Sequence, residues 1–418
     1  MTRFIISDLT SFQMQLAKMT SDNDKSDHVI RSALTPGLRC ATEKPPESED
    51  FKTHCHVSLS ALKSLVNAKQ SHNQHILLLL CSEHCALNKA DTPHVWSSTS
   101  HQELADELVQ GLESLTGKTL IELLTEDQCN LFKSLMAELQ PRLEKFSSHP
   151  ASVASLSWLV SKVPHPQLSE LVPRLLPHLL NITDSWMPHY KMAGARLMGH
   201  VIKTCPSSEL LFYGRAELLE ESLVRLLGHT DSGVVKAASE PLLALTSIRH
   251  GVTRPSEPGP GDHLMQELVT KLELATDRDR REVLAAMIEQ LVHILGIGVA
   301  RWVTSLARTI ISLLAFSPPL SVFRIVSSIT RMCPECVSRE VGDLLPALVK
   351  FVYQLSWREQ QDHNSGAVVS LASVCILELA TCDPEAARLL CHDLENLPPV
   401  NPTFDTLVTE ILSVITAV

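Results

Sequence analysis

The chain has 418 residues, of which 44% are hydrophobic and only 4% aromatic, and its formal net charge is −11. That length exceeds one ordinary hydrophobic core, so several domains or a repeat array are expected. The acidic excess argues against non-specific binding to nucleic acid or to an anionic membrane, because both need clustered Lys and Arg.

Residues 1–100 form the least regular region. A short amphipathic helix is predicted over Phe4–Met19, followed by the polar run SDNDKSD, a Pro/Glu/Ser linker at Lys44–Asp50 and one apolar helix at His75–Cys85. Polar breaks and weak periodicity predict a loosely structured segment. The opening apolar patch is cut by Asp8, so no signal peptide is expected. Cys81, His84 and Cys85 would share one helical face, with His54-Cys55-His56 upstream. This is the one Cys/His-rich constellation in a chain with 19 histidines, and it reads as coincidence; no metal or other cofactor is expected.

From Gln102 onward helices follow one another, with 101–250 read as the first half of a solenoid. Its predicted helices are Pro164–Leu180, Trp186–Pro206, Ser207–Gly228 and Ser232–Ile248. Apolar residues recur at three- and four-residue steps: Tyr190, Gly194, Leu197 and Val201 on one helix, then Leu218, Leu219, Leu223, Leu226 and Leu227 on another. The breaks are only a few residues long, which forces neighbouring helices to pack antiparallel. Gly194, with Ala193 and Ala195 beside it, predicts a close helix crossing, since a mid-helix glycine otherwise costs about 0.5–1 kcal/mol. Asp231-Ser232-Gly233 has the letters of an aspartic-protease signature without a preceding strand, and Thr230 or Asp231 reads as a helix N-cap.

Gly251–Gly261, GVTRPSEPGPG, reads as a stiff loop dividing the solenoid, with 262–418 as the second half. Predicted helices there are Glu267–Leu274, Arg281–Leu295, Ala300–Ala315, Val322–Cys333, Val337–Leu355, Ala367–Ala380 and Phe404–Val418. Arg278, Arg280 and Arg281 alternate with acids and read as a solvated helix start. Leu-x-Pro-x-Leu occurs at Leu171–Leu175 and again at Leu344–Leu348, an offset of 173 residues, or about four periods of a ~43-residue helical repeat. No apolar run is expected to supply the roughly 18–20 residues of a membrane span, Ile310–Val326 being broken by Pro318-Pro319. Strand-like alternation is scarce. The fold predicted is all-α, an α-solenoid of HEAT-like antiparallel helix pairs.

Catalytic motifs are missing. Cys333-Pro-Glu-Cys336 has CxxC spacing but no second pair to complete a zinc site, and it lies at a helix junction rather than in a βαβ unit. Gly296-Ile-Gly298 lacks the third glycine and the strand of a dinucleotide loop. Eleven cysteines, an odd number mostly set in apolar patterns, read as reduced buried thiols of a cytosolic or nuclear protein. A binding scaffold fits better than an enzyme. The final helix is more apolar than a solvated cap requires, which makes Leu407, Ile411, Leu412 and Ile415 candidate partner-binding residues.

The run PSSELLFYGRAELLEESLVRLL (Pro206–Leu227), preceded by HYKMAGARLMGHVI, resembles the Tel two-interacting protein 2 family. Matching positions are Lys191, Gly194 and Leu197, then Leu210, Leu211, Tyr213, Arg215 and Ala216, all taken as packing positions. Arg278–Leu314 and Cys333–Val352 extend the similarity to about residues 160–355. The resemblance implies a non-catalytic subunit of the TTT co-chaperone complex, a hetero-oligomer with Tel two and Tel two-interacting protein 1. It further implies work with heat-shock protein 90 on phosphatidylinositol 3-kinase-related kinases, and so a place in DNA-damage and TOR signalling in cytoplasm and nucleus. The alternative is an α-solenoid adaptor of another class, for transport or scaffolding, that binds peptide segments.

Overall fold

A computed structural model of the chain describes residues 99–147, 151–251, 258–316, 318–358, 365–394, 406, 408–411 and 413, together with Leu78 and Cys81. Among the described residues there is no strand; the chain is an array of paired helices. They are α1 (Thr99–Thr116), α2 (Leu120–Leu143), α3 (Ala151–Ser161), α4 (Gln167–Thr183), α5 (Pro188–Thr204), α6 (Ser207–Phe212), α7 (Arg215–Leu226) and α8 (Ser232–His250). After them come α9 (Pro260–Leu274), α10 (Arg278–Leu295), a 3-10 connector (Gly296–Trp302), α11 (Val303–Leu314), α12 (Leu320–Met332), α13 (Pro334–Val337), α14 (Val341–Arg358), α15 (Ser365–Cys382) and α16 (Pro384–Leu394).

Local chemistry starts several of these helices. Thr119 and Glu122 form a capping box on α2, with the Thr119 N–H donating to Glu122 Oε2 at 2.7 Å and the Glu122 N–H to Thr119 Oγ1 at 3.3 Å. Asp231 caps α8 by accepting from the Gly233 N–H at 2.8 Å, and Asp277 caps α10 by accepting from the Arg280 N–H at 2.8 Å. Within α2, Asp127, Gln128 and Cys129 take positive φ values of 49°, 57° and 61°, which break the helix there.

Contacts divide the chain into two compact units, one ending at Arg215 and the other beginning at Ala216. In the first, α4 packs on α5 as its pair, α2 lies beside α4, and α3 lies beside α5. In the second, α9, α11 and α14 form one layer while α8, α10, α12 and α15 form the other. From Pro260 to Val303 and from Val303 to Val341, the first-layer helices start 43 and 38 residues apart. Alternate long helices meeting in each layer, at a period near 40 residues, with the short α13 intervening once, define stacked HEAT-type pairs. Side-chain bonds repeat the same step: Thr309 Oγ1 donates to Glu273 at 2.7 Å, Ser321 Oγ to Glu282 at 2.6 Å, and Arg331 to Glu378 at 3.0 and 2.6 Å.

The structure differs from the sequence expectations at several places. The predicted helix Ser207–Gly228 is two helices, because Gly214 takes φ +64° and lets the chain turn between α6 and α7. Leu218, assigned to the buried stripe, is 47% exposed on α7, whereas Leu219, Leu223 and Leu226 are buried. On either side of Gly251–Gly261, α8 packs against both α9 and α10. Arg280 and Arg281 are half-buried rather than solvated, and each closes a carbonyl: Arg280 reaches Leu227 O at 3.1 Å and Arg281 reaches Ala275 O at 2.7 Å. Lastly, Arg278–Leu314 is long and apolar enough to cross a membrane by composition. It is no single helix: Gly296 at φ +54° ends α10, and Leu284, Ile288, Leu291 and Val292 are buried in the stack.

Asp262 is the polar joint of the second unit. It is 5% exposed, accepts from the Gly259 N–H at 2.8 Å and the Trp302 Nε1–H at 2.9 Å, and lies 3.3 Å from the Arg301 guanidinium. It thereby ties the start of α9 to the connector 40 residues later. Asp262→Ala removes the acceptor of two donors and is expected to cost about 2–3 kcal/mol. Urea unfolding measures this, and a midpoint within error of the parent would show that water replaces the carboxylate.

Candidate functional site

Two of the positions that carry the resemblance, Lys191 and Gly194, meet at one threonine. Thr183 closes α4, its Oγ1 donating to Leu179 O at 2.7 Å, and Lys191 Nζ on α5 donates to Thr183 O at 3.4 Å. Gly194 lies one turn further along α5, and a Cβ there would stand 2.3 Å from Thr183 Oγ1 and 3.0 Å from Thr183 N. Leu197 is buried on the same face. Lys191 and Gly194 thus share one physical purpose, since the cation closes a helix C-terminus and the absent side chain lets two helices touch. Tyr190 adds to this layer. Its ring meets Phe146 edge-on at 4.9 Å, its hydroxyl donates to Phe146 O at 3.3 Å, and burial pushes its pKa up to about 12.

Leu210 and Ala216 are fully buried and Leu211 is half-buried, but Tyr213 is 62% exposed and so is not a packing position. Arg215 lies 4.5 Å from the Tyr213 ring centroid, and Phe212, 81% exposed, meets the same ring edge-on. An aromatic pair beside a left-handed glycine belongs to a turn tip, and the Phe-Tyr-Gly order was the signal for it. In the second unit Leu274 and Phe316, at the α9–α10 and α11–α12 turns, are likewise exposed. Singly these need no explanation, and Trp186, Ile297 and Leu389 are exposed in the same way.

Of the partner-binding candidates, Ile411 is completely buried in helical chain, while Leu407, Leu412 and Ile415 lie outside the described residues. The Cys/His constellation around Cys81 also falls largely outside them, with only Cys81 described: it is buried, and burial first, then Asp106, pushes its pKa up to about 12. Among the described residues no group of three or more His, Cys, Asp or Glu side chains is placed to hold a metal ion. The second unit has an open cleft of about 530 Å³ between α7, the end of α8 and the start of α9. Glu217, Glu220, Glu221 and Glu267 line it, and Arg249 pairs with Glu220 and lies 3.5 Å from Glu217.

Paired helices in two layers, with polar bonds stepping from repeat to repeat, define an α-solenoid of the HEAT class. The karyopherin-type structures of Kap121p bound to Ste12p and of Kap95p binding to RanGDP share this fold. Their TM-scores are 0.53 and 0.52 at 13% and 12% identity, covering 93% and 98% of this chain and 37% and 51% of theirs. Residues 132–317, from within α2 through α11, match the model of the Tti2 family. Human (Homo sapiens) TELO2-interacting protein 2 is 24% identical over an alignment of 306 residues that covers 69% of this chain and 60% of the relative. The mouse (Mus musculus) protein of that name is 28% identical over 161 residues, 37% of this chain and 31% of the relative. This chain therefore spans about 60% of the human relative's length.

Proposed function

We propose that the chain is a non-catalytic scaffold subunit of the TTT co-chaperone complex, binding Tel two and Tel two-interacting protein 1. The Tti2-family match over residues 132–317 carries this proposal, together with relatives whose names state an interaction with TELO2. The fold supports it, because a stack of helix pairs offers a long surface that can grip another elongated protein and flex with it. A stable interface of that kind would bury about 1,600 Å² or more. In this role the protein acts in cytoplasm and nucleus, supporting with heat-shock protein 90 the folding, stability and assembly of phosphatidylinositol 3-kinase-related kinases.

The docking surface on the other subunits is assigned to residues 262–418. Exposed turn residues Leu274 and Phe316 supply apolar anchors there, and the family match runs into this part of the chain. Co-expression with the two partner subunits tests both levels. The full chain is expected to recover both subunits on purification, and failure to recover either removes the complex as its assembly. A chain lacking residues 262–418 is expected to recover neither; retention of both would move the interface to the first part.

A further inference from the structure

Cys333-Pro334-Glu335-Cys336 lies at the junction of α12 and α13, within residues 262–418, and its thiols have no part in the proposed scaffold role. Cys333 sits just before α13 with φ −141° and ψ 61°, and its carbonyl accepts from the Cys336 N–H at 3.0 Å and the Val337 N–H at 3.1 Å. That turn makes the two cysteines i and i+3 partners, whose α-carbons in helical geometry are about 5 Å apart. Disulfides span α-carbon separations of about 4.4–6.8 Å. The two thiols differ in access: Cys333 is buried at 6% exposure, whereas Cys336 is only half-buried. Cys333 Sγ also donates to Ile297 O, 3.8 Å away in the 3-10 connector of the preceding helix pair.

We propose that Cys333 and Cys336 are a redox-active dithiol that closes reversibly to an intramolecular disulfide. The oxidant is a low-molecular-weight disulfide of the glutathione type. The reaction begins at the more accessible thiol: Cys336 gives up its proton, its thiolate attacks one sulfur of the oxidant to form a mixed disulfide, and the thiolate expelled takes that proton. Cys333 then gives up its proton, attacks Cys336 Sγ and expels the second thiolate, which takes that proton. Two cysteine thiols and one small disulfide become one protein disulfide and two small thiols, a two-electron exchange. The order follows from access and from burial, which pushes the Cys333 thiol up, as does the neighbouring Cys336. Closure turns Cys333 Sγ away from the Ile297 carbonyl, so the redox state of the pair governs one bond between successive helix pairs.

The test incubates the full-length protein in glutathione buffers from reducing to oxidising, quenches with acid, denatures, and alkylates with N-ethylmaleimide before peptide mapping. In oxidising buffer the peptide holding both cysteines is expected to lose both maleimide adducts and two hydrogens, and to regain the adducts on return to reducing buffer. Full alkylation of both residues at the most oxidising ratio would overturn the proposal, as would pairing of either one with another cysteine. Cys333→Ser is expected to trap a glutathione adduct on Cys336, and its absence would remove Cys336 as the entry thiol. Hydrogen exchange at Gly296–Trp302 is expected to quicken in the oxidised protein. Identical exchange in both states would overturn the release of the connector.

Discussion

Gly194→Ala is expected to destabilise the first unit by about 1–3 kcal/mol, and Gly194→Leu by more, although both residues are better helix formers than glycine. A mid-helix glycine replaced by alanine ordinarily gains about 0.5–1 kcal/mol, so a loss would be of opposite sign to the propensity. The sign follows from what the new Cβ meets. It would stand 2.3 Å from Thr183 Oγ1, 3.0 Å from Thr183 N and 3.1 Å from Thr183 Cα. Two of these atoms are backbone, which cannot swing aside, and the hydroxyl is buried and bonded to Leu179 O at 2.7 Å. Relief therefore requires α4 and α5 to separate, loosening the contacts of Tyr190, Leu197 and Met198. Thr183→Ala removes the nearest atom, so combining it with Gly194→Ala should cost less than the sum of the single changes. Urea midpoints of the four proteins decide the matter. A Gly194→Ala midpoint equal to or above that of the parent would place α5 farther from Thr183 than this geometry allows.

The helical architecture was legible because it rests on long periodic segments. The prolines of the two Leu-x-Pro-x-Leu runs illustrate why. Pro173 and Pro346 lie on exposed faces of α4 and α14, each opening a pair, while Leu171, Leu175, Leu344 and Leu348 are buried. Spacing alone puts the leucines on one side and the missing N–H on the other. Features set by distant partners were not legible. Alternating charges at Arg278–Glu282 look like a solvated face, and only the fold brings Arg280 to Leu227 O, 53 residues away. Tyr213 was recognised from a pattern of residue identities, which says nothing of the direction its ring takes. The break at Asp127–Cys129 has no glycine or proline to announce it, so the φ values alone reveal it. Thr183 was likewise missed. As a helix-ending threonine it carries no motif, and its importance comes from facing Gly194 and Lys191.

Ile411→Asp should lower the melting midpoint sharply, by the equivalent of about 3–5 kcal/mol, because it places a carboxylate where no water reaches. The side chain is completely buried in the free chain, on a helical stretch whose neighbours Thr409 and Glu410 are exposed. That pattern is a helix with one face turned inward, and an inward Ile411 serves the stack before it serves a partner. Ile411→Val, one methylene smaller, should cost only about 0.5–1.5 kcal/mol if the site is a packed core position. The two substitutions together separate a cap from an interface. In a cap, stability falls in the order parent, valine, aspartate, and loss of partner recovery follows only where the fold itself is lost. An interface residue behaves otherwise: Ile411→Asp would leave the midpoint where it was while recovery of the partner subunits fell. That second result would mean the helix carrying Ile411 leaves its own stack to bind, and the apolar excess that marked it in the sequence would belong to the complex rather than to the free chain.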